Sequence, residues 1–310
     1  MLLRQLEYLV VLSRERHFAR AAQACYVSQP ALSEAIRKLE EDLDVPLVRR
    51  GRKYEGLTPE GERVVAWAQR ILADRDAMKS EVTALRTGLS GTLRIGSVPT
   101  ASGAVAQLTS PLCTAHPLVT VEVTADLRAV DVVRQVQNFE LDAGITYLHR
   151  ELPDSVRAIP LYEERYVLLA DASEGFGPSA EQTSVGWAEA ARLPLCLLNP
   201  AMQGRQVLDE VFAEAGLEAA PRVETDSVAA LFAHVRTGRW AGVVPHTWLH
   251  VFGVPHGMRA LPMAEPAHTM PMGLIVAARE PGSVLARALT DVARRTDVRA
   301  ALERVPDGSY

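Results

Sequence analysis

Ser28, Gln29, Pro30, Ser33 and Arg37 place, within ten residues, side chains of the kind that read nucleic acid. Gln pairs with adenine, Arg with the guanine edge, and Ser bonds bases or phosphates. At about 100° per residue Gln29, Pro30, Ser33 and Arg37 share one stripe of a helix. Four of the five residues from 49 to 53 are basic: Arg49, Arg50, Arg52 and Lys53. Such a run is ordinarily a solvated loop. Beside a base-reading helix it is better explained as a grip on phosphates, and Thr58 stands at the end of that segment.

Such an edge needs a scaffold behind it. Leu32, Ile36, Leu39 and Leu43 form an apolar stripe on the same predicted helix. Ser28 suits the N-cap, and Pro30 fits the first turn, where a missing N–H costs nothing. Upstream, Phe18 to Cys25 reads as a small-residue helix that meets a tight turn at Tyr26-Val27. Leu3, Leu6, Leu9, Val10 and Leu12 give a first helix, and Ala21-Ala22 allows close approach to it. The layout is that of a helix-turn-helix; an ordinary amphipathic hairpin is the competing reading. Gly51 and Gly56 punctuate a short hairpin, or wing, after it. Residues 1–58 carry ten basic and eight acidic side chains, within a chain of net charge −5. The chain is therefore no general polyanion binder, and its affinity must come from a local patch plus specific contacts.

The string Ala21-Ala22…Val27-Ser28-Gln29-Pro30-Ala31-Leu32-Ser33…Ile36…Leu39-Glu40…Leu43…Val45-Pro46-Leu47…Arg49, then Leu57-Thr58-Pro59-Glu60-Gly61, resembles the DNA-binding domain of LysR-type transcriptional regulators. The resemblance covers residues 1 to 88 by motif and the remainder by layout. Cys25 stands where the family usually has leucine, Asp44 where it has a helix-ending glycine, and Val48 where it has phenylalanine. Asp tolerates the left-handed conformation, and Cys serves as a small hydrophobe. The Val48 exchange predicts a more loosely packed wing.

Thr58 also predicts a helix cap, with Pro59 at the first position and acidic Glu60 and Glu62 in the first turn. Val64, Ala68, Ile71, Arg75, Met78, Val82 and Leu85 follow at alternating four- and three-residue steps, a heptad seam with one polar interruption. The seam predicts a linker helix that pairs two subunits; a helix packed on its own domain is the alternative. The resemblance favours pairing. Dimer and tetramer both remain open.

Gly88-Leu89-Ser90-Gly91 marks a boundary. Strands are predicted at 92–98, 119–123, 141–145, 166–170, 195–198, 242–244 and 273–277, with helices at 203–215 and 228–237 among them. Alternating strands and helices imply α/β units. The resemblance implies a fold of two α/β lobes like a periplasmic binding protein, behind an all-α winged helix-turn-helix. Its domains are then 1–58 for DNA, 59–88 for the linker and 89–310 for the effector. Lobe I is 92–161 plus 267–310, and lobe II is 162–266.

Ligands of open α/β sheets lie beyond the C-terminal strand ends. That rule selects Ser97, Pro99, Thr100, Thr146 and Tyr147 from one lobe. From the other it selects Asn199, Gln203, Arg205, Thr225, Ser227, Pro245 and His246. Thr100 precedes a helix whose first N–H groups suit a carboxylate, and Arg205 adds a forked, charge-assisted contact. The competing reading for each Ser, Thr and Asn is helix capping.

Other chemistry finds little support. Cys25, Cys113 and Cys196 have no paired metal spacing, and their odd number suits reduced thiols. His246, His250 and His256 lack the glutamate of a zinc-protease motif. No Walker loop, dinucleotide fingerprint or Gly-x-Ser-x-Gly elbow occurs. No export signal or membrane-spanning run is read, so a cytoplasmic location is expected. The expected partners are promoter DNA, a second copy of the chain and, by resemblance, RNA polymerase. No metal or cofactor is expected beyond a small-molecule effector. An α/β enzyme with an incidental helical N-terminus, or a cytosolic or transport-associated small-molecule-binding protein, are the alternatives.

Overall fold

The structure, a computed structural model, describes residues 1–50, 54–148, 151–172, 179, 181–264 and 268–303. The chain opens with α1 (Leu3–Glu15), α2 (Phe18–Ala24) and α3 (Gln29–Leu43), then the hairpin β1 (Val48–Arg50) and β2 (Tyr54–Leu57). Leu6, Leu9, Leu12, Ala21, Ala22, Leu32, Ile36, Leu39 and Leu47 form one buried cluster, so the apolar stripe of α3 faces inward as its spacing requires. Asp44 ends α3 at φ 52°, the left-handed cap that glycine supplies more readily. Val48 is buried and the Tyr54 ring meets Phe18 edge-on at 6.1 Å. The expectation of a loosely packed wing is therefore corrected at its described residues.

The linker helix α4 (Pro59–Thr87) has 29 residues, about 43 Å of rise. The Thr58 hydroxyl accepts the Gly61 N–H at 2.9 Å and donates to the Pro46 carbonyl at 2.7 Å. Gly61 is required there: a Cβ would lie 2.0 Å from the Leu47 carbonyl oxygen. Gly61→Ala is expected to destabilise the N-terminal domain by about 3 kcal/mol, at the upper end for overpacking. Thermal unfolding of the full chain reads this as an early transition.

Beyond Gly88 come β3 (Ser90–Ser97), a 3₁₀ turn (Pro99–Ala101), α5 (Ser102–Ala115), β4 (Leu118–Thr124), α6 (Ala129–Gln137) and β5 (Ala143–Tyr147). The long strand β6 (Val156–Asp171) follows, then α7 (Trp187–Ala190), β7 (Cys196–Leu198), α8 (Gln203–Glu214), β8 (Val223–Thr225), α9 (Val228–Val235), β9 (Gly242–Pro245) and α10 (His246–Phe252). The last elements are β10 (Met258–Pro262), β11 (Thr269–Ala277), α11 (Val284–Arg295) and α12 (Val298–Glu303).

The main sheet runs β10-β6-β11-β5-β3-β4, with β9 also on β6. Strand β6 joins two halves: Val156 to Arg165 pair with β11, while Tyr166 to Asp171 pair with β9 and β10. Strands β7 and β8 run parallel beside the second half. The sequence predicted only the second half of β6, because Pro160 and the charges Arg157, Glu163, Glu164 and Arg165 hide the first.

Candidate functional site

In the reading head, the Ser28 hydroxyl accepts the Ala31 N–H at 3.3 Å and so fixes the start of α3. Gln29, Pro30 and Arg37 are exposed and Ser33 is half-buried. Glu34 forks the Arg37 guanidinium, with Nε to Oε2 at 2.9 Å and Nη2 to Oε1 at 2.7 Å, and Glu41 also pairs with it. Arg37 in turn holds the Glu34 carboxyl below its ordinary range. The guanidinium must therefore exchange a carboxylate for any base edge. Thr58 is corrected: both roles of its hydroxyl are taken by the cap and Pro46, which leaves it a structural residue. Arg49 is exposed. The side chain of Arg50, and all of Arg52 and Lys53, lie outside the described residues. Tyr26 is a residue that sequence reasoning missed, 96% exposed at φ 55° in the turn before α3.

The heptad seam on α4 is divided. Val65 and Ala68 are buried, and Val64, Ile71 and Leu72 pack on the N-terminal core. Arg75 pairs with Glu7 of α1 and with Asp76. The first half of the seam thus packs in part on its own domain: Ala68 is fully buried there, which corrects it as a free dimerisation residue, while Val64 and Ile71 are half-buried, because the inward azimuth of α4 is centred near Val65, Ala68 and Leu72. Met78, Val82 and Leu85 remain 62%, 54% and 84% exposed. Trp67, absent from the heptad reading, is 59% exposed and lies within about 20° of Met78 and Leu85 around the helix.

In the cleft, Thr100 of the 3₁₀ turn meets Tyr147 of β5, Oγ1 to OH at 3.2 Å, and the Tyr147 hydroxyl reaches Glu164 Oε1 at 3.5 Å. Tyr147 and Tyr162 both stand opposite Met272 of β11. Tyr162, Glu164 and Tyr166 alternate along β6, so they share that face. Glu164 is fully buried. Burial lifts its carboxyl to about 7, against bonds from Thr100 and Tyr147 that pull it down. Burial, followed by the nearby Glu164, likewise raises the three tyrosines. Ser97 Oγ, Tyr162 OH, Tyr166 OH and Glu164 Oε2 are buried without a hydrogen-bond partner. A cavity of about 20 Å³ has Thr100 and Tyr166 on one side and Gly204, Leu208 and Trp248 on the other, and Glu164 is joined to its wall through the Tyr147 and Thr100 hydroxyls. A Cβ on Gly204 would touch Thr100 Cγ2 at 3.6 Å, so the cleft is closed.

Several expected cleft residues have other roles. Arg205 borders the cavity, but it bonds Asp209 at 2.7 Å, Glu224 at 2.7 Å and the Leu198 carbonyl at 2.9 Å. Its charge is neutralised inside its own unit, which corrects it as an anion clamp. Asn199 Oδ1 accepts the Ala201 N–H, Thr225 Oγ1 accepts the Ser227 N–H, and Ser227 Oγ accepts the Ala230 N–H. These three cap turns and helices, the competing reading from sequence. Thr146 faces away from its neighbour Tyr147 by strand alternation. Gln203 begins α8 and Pro245 borders the cavity. His246 Nδ1 accepts the Arg165 N–H at 3.1 Å, and burial lowers its pKa. His250 contacts Gln107, and no cluster of metal-ligating side chains occurs among the described residues.

A larger cavity, about 540 Å³, opens between α4 and the sheet end near Arg94, Phe139 and Arg279. Three of the arginines lining it are paired: Arg279 with Asp74 at 2.6 Å, Arg287 with Glu81 at 3.1 Å, Arg94 with Asp142 at 3.3 Å. It is the seam between the linker helix and the α/β unit, with Arg279 lying 4.7 Å over the Phe139 ring.

Residues 3–62 match the bacterial regulatory helix-turn-helix protein, lysR family, and residues 86–297 match the LysR substrate binding domain. The chain belongs to the LysR family. Over 287 residues it is 28% identical to the DNA-binding transcriptional dual regulator OxyR of Escherichia coli, covering 91% of this chain and 90% of that protein. A full-length OxyR variant from Pseudomonas aeruginosa superposes with a TM-score of 0.74 at 25% identity, over 97% of both chains. CbnR in complex with its target DNA shares the fold, with a TM-score of 0.62 at 20% identity over 95% of this chain and 99% of that one. This LysR-family chain is a DNA-binding transcriptional regulator with an effector-binding domain, and not an enzyme. Among its described residues no helix is long and apolar enough to cross a membrane. Sequence reasoning missed Glu164 and Tyr166 in the effector-binding domain. The signal was present as the two-residue alternation Tyr162, Glu164, Tyr166.

Proposed function

We propose that the chain regulates promoters as a cytoplasmic homodimer or homotetramer that also contacts RNA polymerase. Residues 1–58 read DNA, 59–88 link and pair subunits, and 89–310 sense an effector. Lobe I takes 92–161 and 267–310, and lobe II takes 162–266. Gln29, Pro30, Ser33 and Arg37 reach base edges, with Ser28 setting the helix start. Arg49, Arg50, Arg52 and Lys53 hold phosphates, and the exposed Tyr26 joins them from the turn. The observation that carries this reading is the polar, exposed edge of α3 over a fully buried Leu32–Ile36–Leu39 stripe. Arg37→Ala is expected to weaken operator binding by about 1–3 kcal/mol if it pairs with a base. Quantitative footprinting checks this, and an unchanged affinity and footprint rejects the assignment.

The effector enters between Thr100, Tyr147, Tyr166 and the start of α8. Pro99, Ser97, Gln203, Pro245 and His246 surround that point. Because the space between Gly204 and Thr100 Cγ2 would hold no more than a methyl group, a ligand must separate the two walls. It can thereby bind one state better than the other, which is the condition for shifting a conformational equilibrium.

Peroxide sensing through thiols is not the function favoured for this chain. A sensor cysteine needs thiolate character and access. Burial pushes the Cys196 thiol up to about 11 and also raises Cys25. All three thiols are free, with Cys25 capping the end of α2, Cys113 in α5 and Cys196 in β7. Hydrogen peroxide is expected to leave operator affinity unchanged, in the parent and in a Cys25→Ser, Cys113→Ser, Cys196→Ser variant alike. A peroxide response abolished in that variant contradicts this.

A further inference from the structure

The buried carboxyl of Glu164 has no counter-charge. Among the described residues no Lys, Arg or His forms an ion pair with it, and Oε2 has no hydrogen-bond partner. The neighbouring Arg165 points elsewhere, to Glu303 at 3.0 Å. Arg205, across the cleft, is spent on Asp209 and Glu224. The other unpartnered groups on this face, Ser97 Oγ, Tyr162 OH and Tyr166 OH, are hydroxyls with lone pairs to offer. Beyond them the cavity wall is mostly apolar, with Leu198, Leu208, Leu231, Val243 and Trp248 beside the paired Arg205.

We propose that the effector is a primary amine with a short apolar body, whose ammonium docks on Glu164 and whose body lies against Leu208 and Trp248. This rests on the cleft being the effector site. An ammonium brings three donors and no acceptor, which suits a carboxylate that has the Tyr147 and Thr100 hydroxyls beside it. It also supplies the positive charge that this site lacks. A carboxylate ligand would set a second negative charge beside Glu164, and like charges in one buried site cannot both persist. The indole face of Trp248 adds a surface to which cations are attracted. The helix starts at Thr100 and Gln203 favour anions, yet the nearby cations Arg165 and Arg205 are already paired with carboxylates. The unpaired carboxylate therefore decides the class.

The test is calorimetric titration of the full chain with propylammonium and benzylammonium, against propionate and benzoate, at matched ionic strength. The ammonium probes are expected to bind and the carboxylates not. Glu164→Gln should weaken ammonium binding about tenfold or more, as loss of a charged hydrogen bond implies, while a cooperative thermal unfolding transition with unchanged far-UV circular dichroism reports an intact fold. Tyr166→Phe, which removes only a hydroxyl, gives a smaller loss. Binding by the carboxylates instead, by neither series, or by ammonium undiminished in Glu164→Gln, overturns the proposal. In those cases a Gly204→Trp variant separates the two readings. Carboxylate binding that this variant abolishes leaves the cleft as the effector site with a different ligand class. Binding of any probe that survives it lies outside the cleft and removes that reading too.

Discussion

Replacing Val82 and Leu85 together by aspartate is expected to lower affinity for a two-half-site operator by about 10²–10⁴-fold, the advantage lost when two linked reading heads become separate. Both side chains are more than half exposed in the second half of α4, so the substitutions remove little from the chain's own core. Four carboxylates facing one another across a twofold seam repel, and the apolar stripe of Trp67, Met78 and Leu85 loses its continuity. Sedimentation is expected to show a shift toward monomer. An Ala68→Asp control behaves differently: Ala68 is fully buried against the N-terminal core, so that change unfolds the reading head itself. Unchanged mass and operator affinity in the Val82→Asp, Leu85→Asp chain would falsify pairing through this stripe.

The second large effect is on stability and depends on pH. Burial lifts the Glu164 carboxyl from 4.5 to about 7, so the folded chain holds this proton more tightly than the unfolded one. Folding stability from this group is therefore complete below pH 4.5 and falls as pH rises through 7. Above that range the ionised, unpaired carboxylate costs about 3 kcal/mol. Glu164→Gln cannot ionise. It is expected to exceed the parent in stability by about that amount at mildly alkaline pH, with the gap closing toward acid. Denaturant titrations across pH measure this directly. A gap that does not vary with pH means that Glu164 does not titrate in this way.

Local patterns were legible. The α3 edge, its buried stripe and its Ser28 cap follow from residues a few positions apart, and so does the capped start of α4. The heptad seam was legible only in part. Spacing identifies an apolar side, but not which portion of a long helix has a partner within the chain, and here α1 covers the first half. Arg205 was read as a ligand group because its bond to Glu224, on another strand, is a tertiary contact, although its other partner Asp209 lies one turn on in the same helix. Glu164 was hidden for the opposite reason. In the run Glu163-Glu164-Arg165 it resembles a surface segment, and only the pairing of β6 with β11 turns it inward. Its isolation from any cation is a property of the assembled sheet, which no local spacing encodes.

The paired reading head is tested most directly by selecting binding sites for the full chain from random-sequence duplex DNA. The expected result is a set of inverted half-sites whose centres are separated by whole helical turns, about 10 bp or a multiple, with the Val82→Asp, Leu85→Asp chain enriching a single half-site or none. Selection of one undivided site by the parent chain, or of the same paired sites by the variant, would contradict a head whose spacing is set by α4.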